Sequence, residues 1–328
     1  MLSTGSIAVL PKLDENCMSE GGRGCVAILL SAFNGEKYIA EQLDSIIGQT
    51  HKNWILHVSD DGSVDGTCDI VRDYISLDGT GSIYLHEGPR KGFAQNFLSL
   101  VRRDDIVADY YVFCDQDDVW LPSKLERALD SCAKEDPSLP FLYCSRTRLV
   151  DEHGKPIGFS SLFSRPVGFG NALVQSLAGA NTMLFNNATR DILRQVPLTA
   201  NIVSHDWLAY MLVSGCGGKV FYDPQPFIDY RQHQANLVGA NAGLFDRLRR
   251  FMRVLGGTFH YWNESNLVIL QQFERNLTAE NREVLSRFLA ARRARGYKAA
   301  SLLGRSGVYR QSRLEDWAMK MAAVIGKI

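Results

Sequence analysis

An α/β fold built on a mostly parallel sheet is predicted by three features of the chain. Short apolar runs alternate with segments of helical periodicity from Cys25 onwards. The first runs are continuous rather than alternating, the pattern of strands covered on both faces. Each run ends in polar residues or glycine, and the carboxyl ends of parallel strands are where such sheets bind ligands.

In order, "CVAILLS" is read as the first strand. "KYIAEQLDSIIGQ" follows as a helix that spaces Ile39, Leu43, Ile46 and Ile47 at helical intervals. "NWILHVS" is the second strand and runs into Asp60, Asp61 and Gly62. "VDGTCDIVRDYI", "SIYLHEG" and "GFAQNFLSLVRR" give helix, strand and helix. "YYVFC" is the fourth strand, ending in Asp115, Gln116, Asp117 and Asp118, and "SKLERALDSCA" is the helix after it. Further on, "FLYCSRTRLV" reads as a strand, and "GFGNALVQSLAGANTMLFN" as a helix, a turn at Gly179 and a strand. "HDWLAYMLVSGCG" reads as a helix, and "KVFYDPQPFIDYRQH" as extended chain with proline breaks. From Leu244, "LFDRLRRFMRVL", "ESNLVILQQFERNL" and "NREVLSRFLAARRARGY" are helical. The expected division is a loose lead-in over 1–24, one domain over 25–240 and a helical, basic region over 241–328.

The 328 residues are 45% apolar and carry no formal net charge, which argues against a general nucleic-acid binder. The balance is uneven. Residues 246–328 hold 16 Lys and Arg against 7 Asp and Glu, so the rest is acidic. Basic helices that also carry Phe, Leu, Trp and Met suit peripheral contact with an anionic membrane surface or packing on the main domain. The seven cysteines are scattered, with no CxxC spacing, so neither a disulfide scaffold nor a zinc site is expected and a reducing compartment is the simplest reading. The N-terminal stretch lacks the pattern of a secretory signal, and no apolar run is long enough to span a membrane.

Asp115, Asp117 and Asp118 repel one another and need a compensator. A hard divalent cation, which prefers oxygen ligands and keeps water or phosphate in its shell, supplies one; an acidic turn in solvent is the plain alternative. Asp61 ends the second strand, where a carboxylate can reach a ribose or base, although either Asp60 or Asp61 could instead cap the next helix. Ser31, Phe33 and Asn34 form the first strand-to-helix turn. No GxGxxG or GxxxxGK[ST] cradle is present. Arg90, Lys91 and Gly92 could meet a phosphate or sugar. His205 and Asp206 open a helix, where Asp206 is either a cap or a general base. Arg231 and His233 lie two apart in an extended segment and could face one ligand.

Taken in order, "AILLSAFNGEKYIAEQLDSIIGQT", "VSDDGSVDGT", "FCDQDDVWLPSKL", "SHDW" and "YRQH" resemble the glycosyltransferase family 2 enzymes. The resemblance covers about residues 25–240. "DQDDVW" and "YRQHxxN" are most similar to the branch of rhamnosyltransferases of bacterial surface polysaccharides. The resemblance implies a GT-A fold, with helices on both faces of the sheet, and inverting transfer of a sugar, with dTDP-L-rhamnose as the expected donor. It implies Ser31 and Phe33 at the base pocket, Asp61 on the nucleobase, and Asp115 toward the ribose. Asp117 would ligate Mg²⁺ or Mn²⁺, and His233 would be a later metal or diphosphate contact. Asp118 would support the loop, and Gly179 to Asn181 would lie near sugar and acceptor. Asp206 would be the base. Trp120 and Trp207 belong to the same motifs, and His205 stands where the family more often has Glu. The implied acceptor is a glycan on a lipid carrier at the cytoplasmic face of a membrane. An aspartyl-phosphate phosphatase would instead carry its nucleophile on the first strand, and a non-catalytic sugar-nucleotide binder would hold donor without turnover.

Overall fold

The computed structural model describes residues 23–233 and 258–328. The helix expected over "LFDRLRRFMRVL" and nearly all of the lead-in lie outside these residues. Among the described residues the strands are β1 (Val26–Ala32), β2 (Trp54–Asp60), β3 (Ile83–Glu87), β4 (Tyr110–Asp115), β5 (Val119–Trp120), β6 (Phe141–Val150), β7 (Pro156–Phe159), β8 (Leu184–Asn186) and β9 (Lys219–Arg231). They form one sheet in the order β3-β2-β1-β4-β8-β6-β9-β5, with β7 paired to β6.

The alternation seen in the sequence builds the parallel half, β3-β2-β1-β4. Beyond it the sheet is mixed. β8 runs antiparallel to both β4 and β6, and β6 and β9 are parallel to each other. The sheet is therefore less parallel than the alternation predicts, because β8 enters from a turn rather than through a crossover helix. The expected proline breaks do not interrupt β9: Pro224 and Pro226 fall where its register with β6 shifts.

The helices are α1 (Ile39–Ile47), α2 (Thr67–Leu77), α3 (Phe93–Arg102), α4 (Lys124–Cys132), α5 (Phe169–Ala172), α6 (Asn187–Arg194), α7 (His205–Gly215), α8 (Thr258–Gln272), α9 (Ala279–Arg293), α10 (Gly296–Arg305) and α11 (Arg313–Val324). They cover both faces of the sheet. Ile28 and Leu30 of β1 point to one core with Ile39, Leu43 and Ile46 of α1 and Leu125 and Leu129 of α4. Ala27 and Leu29, the alternate residues, point to the other core with Phe97 of α3 and Leu208 and Leu212 of α7. Full burial of each large aliphatic side chain contributes about 1.5–3 kcal/mol, which is why β1 carries no polar residue before Ser31. Phe259, Leu270, Phe288 and Met319 from α8, α9 and α11 join the second core.

Cys68, Cys114, Cys132, Cys144 and Cys216 are free thiols. Cys25 is disulfide-bonded, which the scattered spacing did not predict. Among the described residues no helix is long and apolar enough to cross a membrane.

Candidate active site

The carboxyl ends of β1, β2 and β4 meet at one edge. Ser31 is in register with Ser59 of β2 and Asp115 of β4, so the polar tips of three strands are side by side. Asn96, buried on α3, ties the β1 and β2 tips together: its Nδ2 donates to Ser31 Oγ (2.7 Å) and to the Ser59 carbonyl (2.8 Å), and its Oδ1 accepts from Ser59 Oγ (2.6 Å). The signal for Asn96 was present in the sequence as a polar residue on the core-facing side of a helix.

The loops above these tips are held by side chains. Gln116 accepts from Phe33 N (2.9 Å) and donates to the Phe33 carbonyl (3.0 Å), pinning the β1 turn to the acidic loop. The Phe33 ring itself is left 54% exposed over the edge, a free apolar face suited to stacking. Asn34 holds a left-handed backbone (φ 48°), which Asn tolerates, and its Oδ1 accepts from Val64 N.

Asp61 accepts from the backbone N–H of Arg90 (2.6 Å), Lys91 (3.3 Å) and Gly92 (2.7 Å). It therefore anchors the β3–α3 loop, with little acceptor capacity to spare for a base. Gly92 sits at φ 84°, where glycine is favoured. Neither Asp60 nor Asp61 caps α2, whose N-cap is Gly66; Asp60 Oδ2 accepts from Gly62 N and Ser63 N.

The acidic loop splits into an inner and an outer part. Asp118 is fully buried, accepts from Asn181 Nδ2 (2.5 Å) and receives the Arg231 N–H (3.4 Å). Burial, then Asp117 and Asp115, push its carboxyl well above the usual range, while Asn181 pulls it down. Lys124 is buried behind it with Nζ 3.6 Å from the centre of the Trp120 ring, and burial lowers it to about 7. Trp120 is thus a packed support rather than an open contact. Asn181→Ala is expected to cost about 1–3 kcal/mol, because it strips a buried acceptor of its partner; a urea unfolding curve reads this directly.

The outer part faces the edge. Asp115 is half-buried, and desolvation, Asp117 and Asp206 together raise it to about 8. Asp117 Oδ2 lies 2.8 Å from His233 Nε2, and the imidazole packs against Tyr38. Among the described residues no Lys or Arg side chain forms an ion pair with Asp115, Asp117 or Asp206. Arg231 is committed elsewhere: its guanidinium donates to Glu41, to the Asp117 carbonyl (3.1 Å) and to the Glu152 carbonyl (3.0 Å), and it stacks on Tyr38. Arg231, expected to face a ligand beside His233, is in this structure a brace for the acidic loop. The donor chemistry of Asp117 and His233 suits a divalent cation that takes the rest of its shell from water and phosphate. Among the described residues no group of three or more His, Cys, Asp or Glu side chains is placed to hold a metal ion.

Asp206 faces this edge from α7. Ser204 is the N-cap, its Oγ accepting from Trp207 N at 3.5 Å, and Asp206 is the second residue of the first turn. Its Oδ1 accepts from Trp207 N (2.7 Å) and its Oδ2 from Ser176 Oγ (3.4 Å). Burial raises it to about 6, outweighing those hydrogen bonds. Ser176 had no sequence signal. His205 points away into an aromatic nest, stacked on Phe97 at 4.1 Å and edge-on to Phe113; neither ring nitrogen has a hydrogen-bond partner, and burial lowers it to about 3. It packs as a neutral core residue, and Trp207 is likewise buried, donating to the Ala172 carbonyl (2.6 Å). Gly179 starts the short turn that carries Asn181 to Asp118.

The description "Glycosyl transferase family 2" matches residues 27–181. The chain is 28% identical over 232 residues to the dTDP-rhamnosyl transferase RfbG of Shigella flexneri, covering 67% of this chain and 77% of that one. It is 30% identical to the uncharacterized glycosyltransferase RP339 of Rickettsia prowazekii, over 39% of this chain and 37% of that protein's length. Among solved structures, the mannosyltransferase PcManGT of Pyrobaculum calidifontis, in complex with GDP-Man and Mn²⁺, superposes over 99% of this chain and 89% of its own (TM-score 0.50, 17% identity). TarS of S. aureus, in complex with UDP-GlcNAc, does so over 91% and 90% (TM-score 0.51, 13% identity). At those identities the likeness is one of fold, the GT-A fold. By these matches and the strand-edge constellation, the chain is similar to the family 2 glycosyltransferases, and residues 27–181 are the part that matches that family.

Proposed function

We propose that the chain transfers a sugar, with inversion, from a nucleoside diphosphate donor to a hydroxyl of a growing bacterial surface glycan held on a lipid carrier. The similarity to a dTDP-rhamnosyl transferase favours a thymidine-linked deoxysugar as donor. The observation that carries this reading is that Asp115 lies close enough to both Asp117 and Asp206 to be raised by them, while among the described residues no Lys or Arg side chain is ion-paired with any of the three. A donor lying along that edge would place its diphosphate at Asp117 and His233 and its sugar toward Asp206.

In this reading Phe33 stacks on the base, Ser31 and the Asp61-anchored loop flank it, and Asp115 is turned to the ribose. Lys91 and Gly92 lie in that same anchored loop. Asp117 and His233 would hold Mg²⁺ or Mn²⁺, which would supply Lewis-acid neutralisation of the departing diphosphate. Asp206 accepts the acceptor hydroxyl proton. The freed oxygen forms the new bond to the anomeric carbon as the bond to the diphosphate oxygen breaks, and the nucleoside diphosphate carries away that electron pair.

Because Asp206 sits at about 6, kcat/KM is expected to rise about tenfold per pH unit up to that value and then level. The stability contribution has the opposite sign. A carboxyl raised on folding lowers stability progressively as pH rises from its ordinary range through about 6. A pH–rate profile beside a pH series of thermal melts tests both; an activity that falls across pH 5–7 contradicts the assignment.

A further inference from the structure

We infer that α10 and α11 present a membrane-docking face, and that its partner is an anionic lipid surface. Leu314, Trp317, Met321 and Ile325 are spaced three, four and four residues apart, which places them on one stripe of α11 and its end. All four are exposed, at 70, 57, 43 and 57%. The opposite face of α11, including Met319, Ala322 and Ala323, is buried in the core. The stripe is therefore additional to the surface that packs the helix.

Cations flank it. Arg313 and Lys320 lie along one edge of the stripe, and Lys320 is beside Gly304 of α10. The outward side of α10 carries Lys298 and Arg305, and Lys327 follows α11. Among the described residues none of these five has an acidic partner. The acids of α11 turn inward instead: Glu315 pairs with Arg310, and Asp316 with Arg165. Next to this surface Arg287, Ala290, Leu302 and Arg305 line an apolar cavity of about 460 Å³ between α9 and α10. A stripe with a tryptophan, bordered by cations, matches the headgroup boundary of an anionic bilayer. A second copy fits poorly, since a two-fold contact would set the basic border against itself. The start of α11 is tied to the segment before Asp206. Arg310 donates to the Val174 carbonyl (2.8 Å), and Gln175 Oε1 accepts from Gln311 N (2.8 Å), one residue from the Ser176 that bonds Asp206. These bonds connect the start of α11 to the segment that carries Ser176.

The inference stands apart from the transfer reaction, because its test reads binding alone. The full chain is floated with phosphatidylcholine vesicles that contain or lack phosphatidylglycerol. It is expected to float with the anionic vesicles only, and to be released by salt. Leu314→Ser with Trp317→Ser, and separately Arg305→Glu with Lys320→Glu, are each expected to weaken binding by about tenfold or more. Both pairs alter exposed side chains, so unchanged melting temperatures show that the fold is intact. Equal binding by either pair overturns the inference, as does equal flotation with neutral vesicles or no flotation. So does a dimer in lipid-free solution that the serine pair converts to monomer.

Discussion

Asp206→Asn is expected to lower kcat by about 10²–10⁴-fold while leaving donor affinity within a few-fold of normal. The substitution keeps the shape of the side chain. An amide oxygen can still accept from the Trp207 N–H, and Ser176 retains its neighbour. Only the capacity to take a proton is lost. Asp206 is well suited to that step. Burial holds it near 6, so it is ionised at neutral pH yet basic enough to share a proton in the transition state. Single-turnover transfer, measured beside nucleotide binding, separates this from a folding defect. Turnover at the normal rate assigns the base elsewhere.

Asp117→Ala is expected to remove at least about 10²–10³-fold of turnover, together with the metal dependence of donor binding. Asp117 is the one carboxylate of the loop that is both turned to the edge and in contact with an imidazole, whereas Asp118 is locked behind it by Asn181 and the Arg231 N–H. Loss of Asp117 also removes a negative charge that raises Asp115 and Asp118, so the folded chain should be no less stable. Lower activity without a lower melting temperature is the distinguishing pattern. The reverse, a collapse of stability with metal-dependent binding intact, assigns Asp117 a structural role instead.

Much of the frame was legible because its signals are local. Continuous apolar runs capped by Ser31, Asp60 and Asp115 mark buried parallel strands, and Ile39, Leu43 and Ile46 mark the inner face of α1 at helical spacing. The mixed half was harder to read, since the direction in which the three-residue β8 pairs depends on contacts far along the chain. The site divided the same way. Asp115, Asp117, Asp206 and His233 stood out by residue type and do meet at one edge. The roles of Arg231 and His205 did not follow from type. Arg231 is consumed by Glu41 and two carbonyls, and His205 by three aromatic rings, partners that only the tertiary fold supplies. Asn96, Gln116 and Ser176 share that character: each is an ordinary polar residue until the fold gives it a loop or a carboxylate to hold.

The central claim is that this acidic strand edge takes a divalent cation and a nucleoside diphosphate together. Calorimetric titration of dTDP, UDP and GDP into the full chain, with and without Mn²⁺, tests it most directly. The account predicts that at least one of the three binds in Mn²⁺ and binds about tenfold or more weaker without it, since charge neutralisation across a half-buried carboxylate pair is at stake. Affinity that is the same in the presence and absence of the metal, or no binding by any of the three, contradicts it.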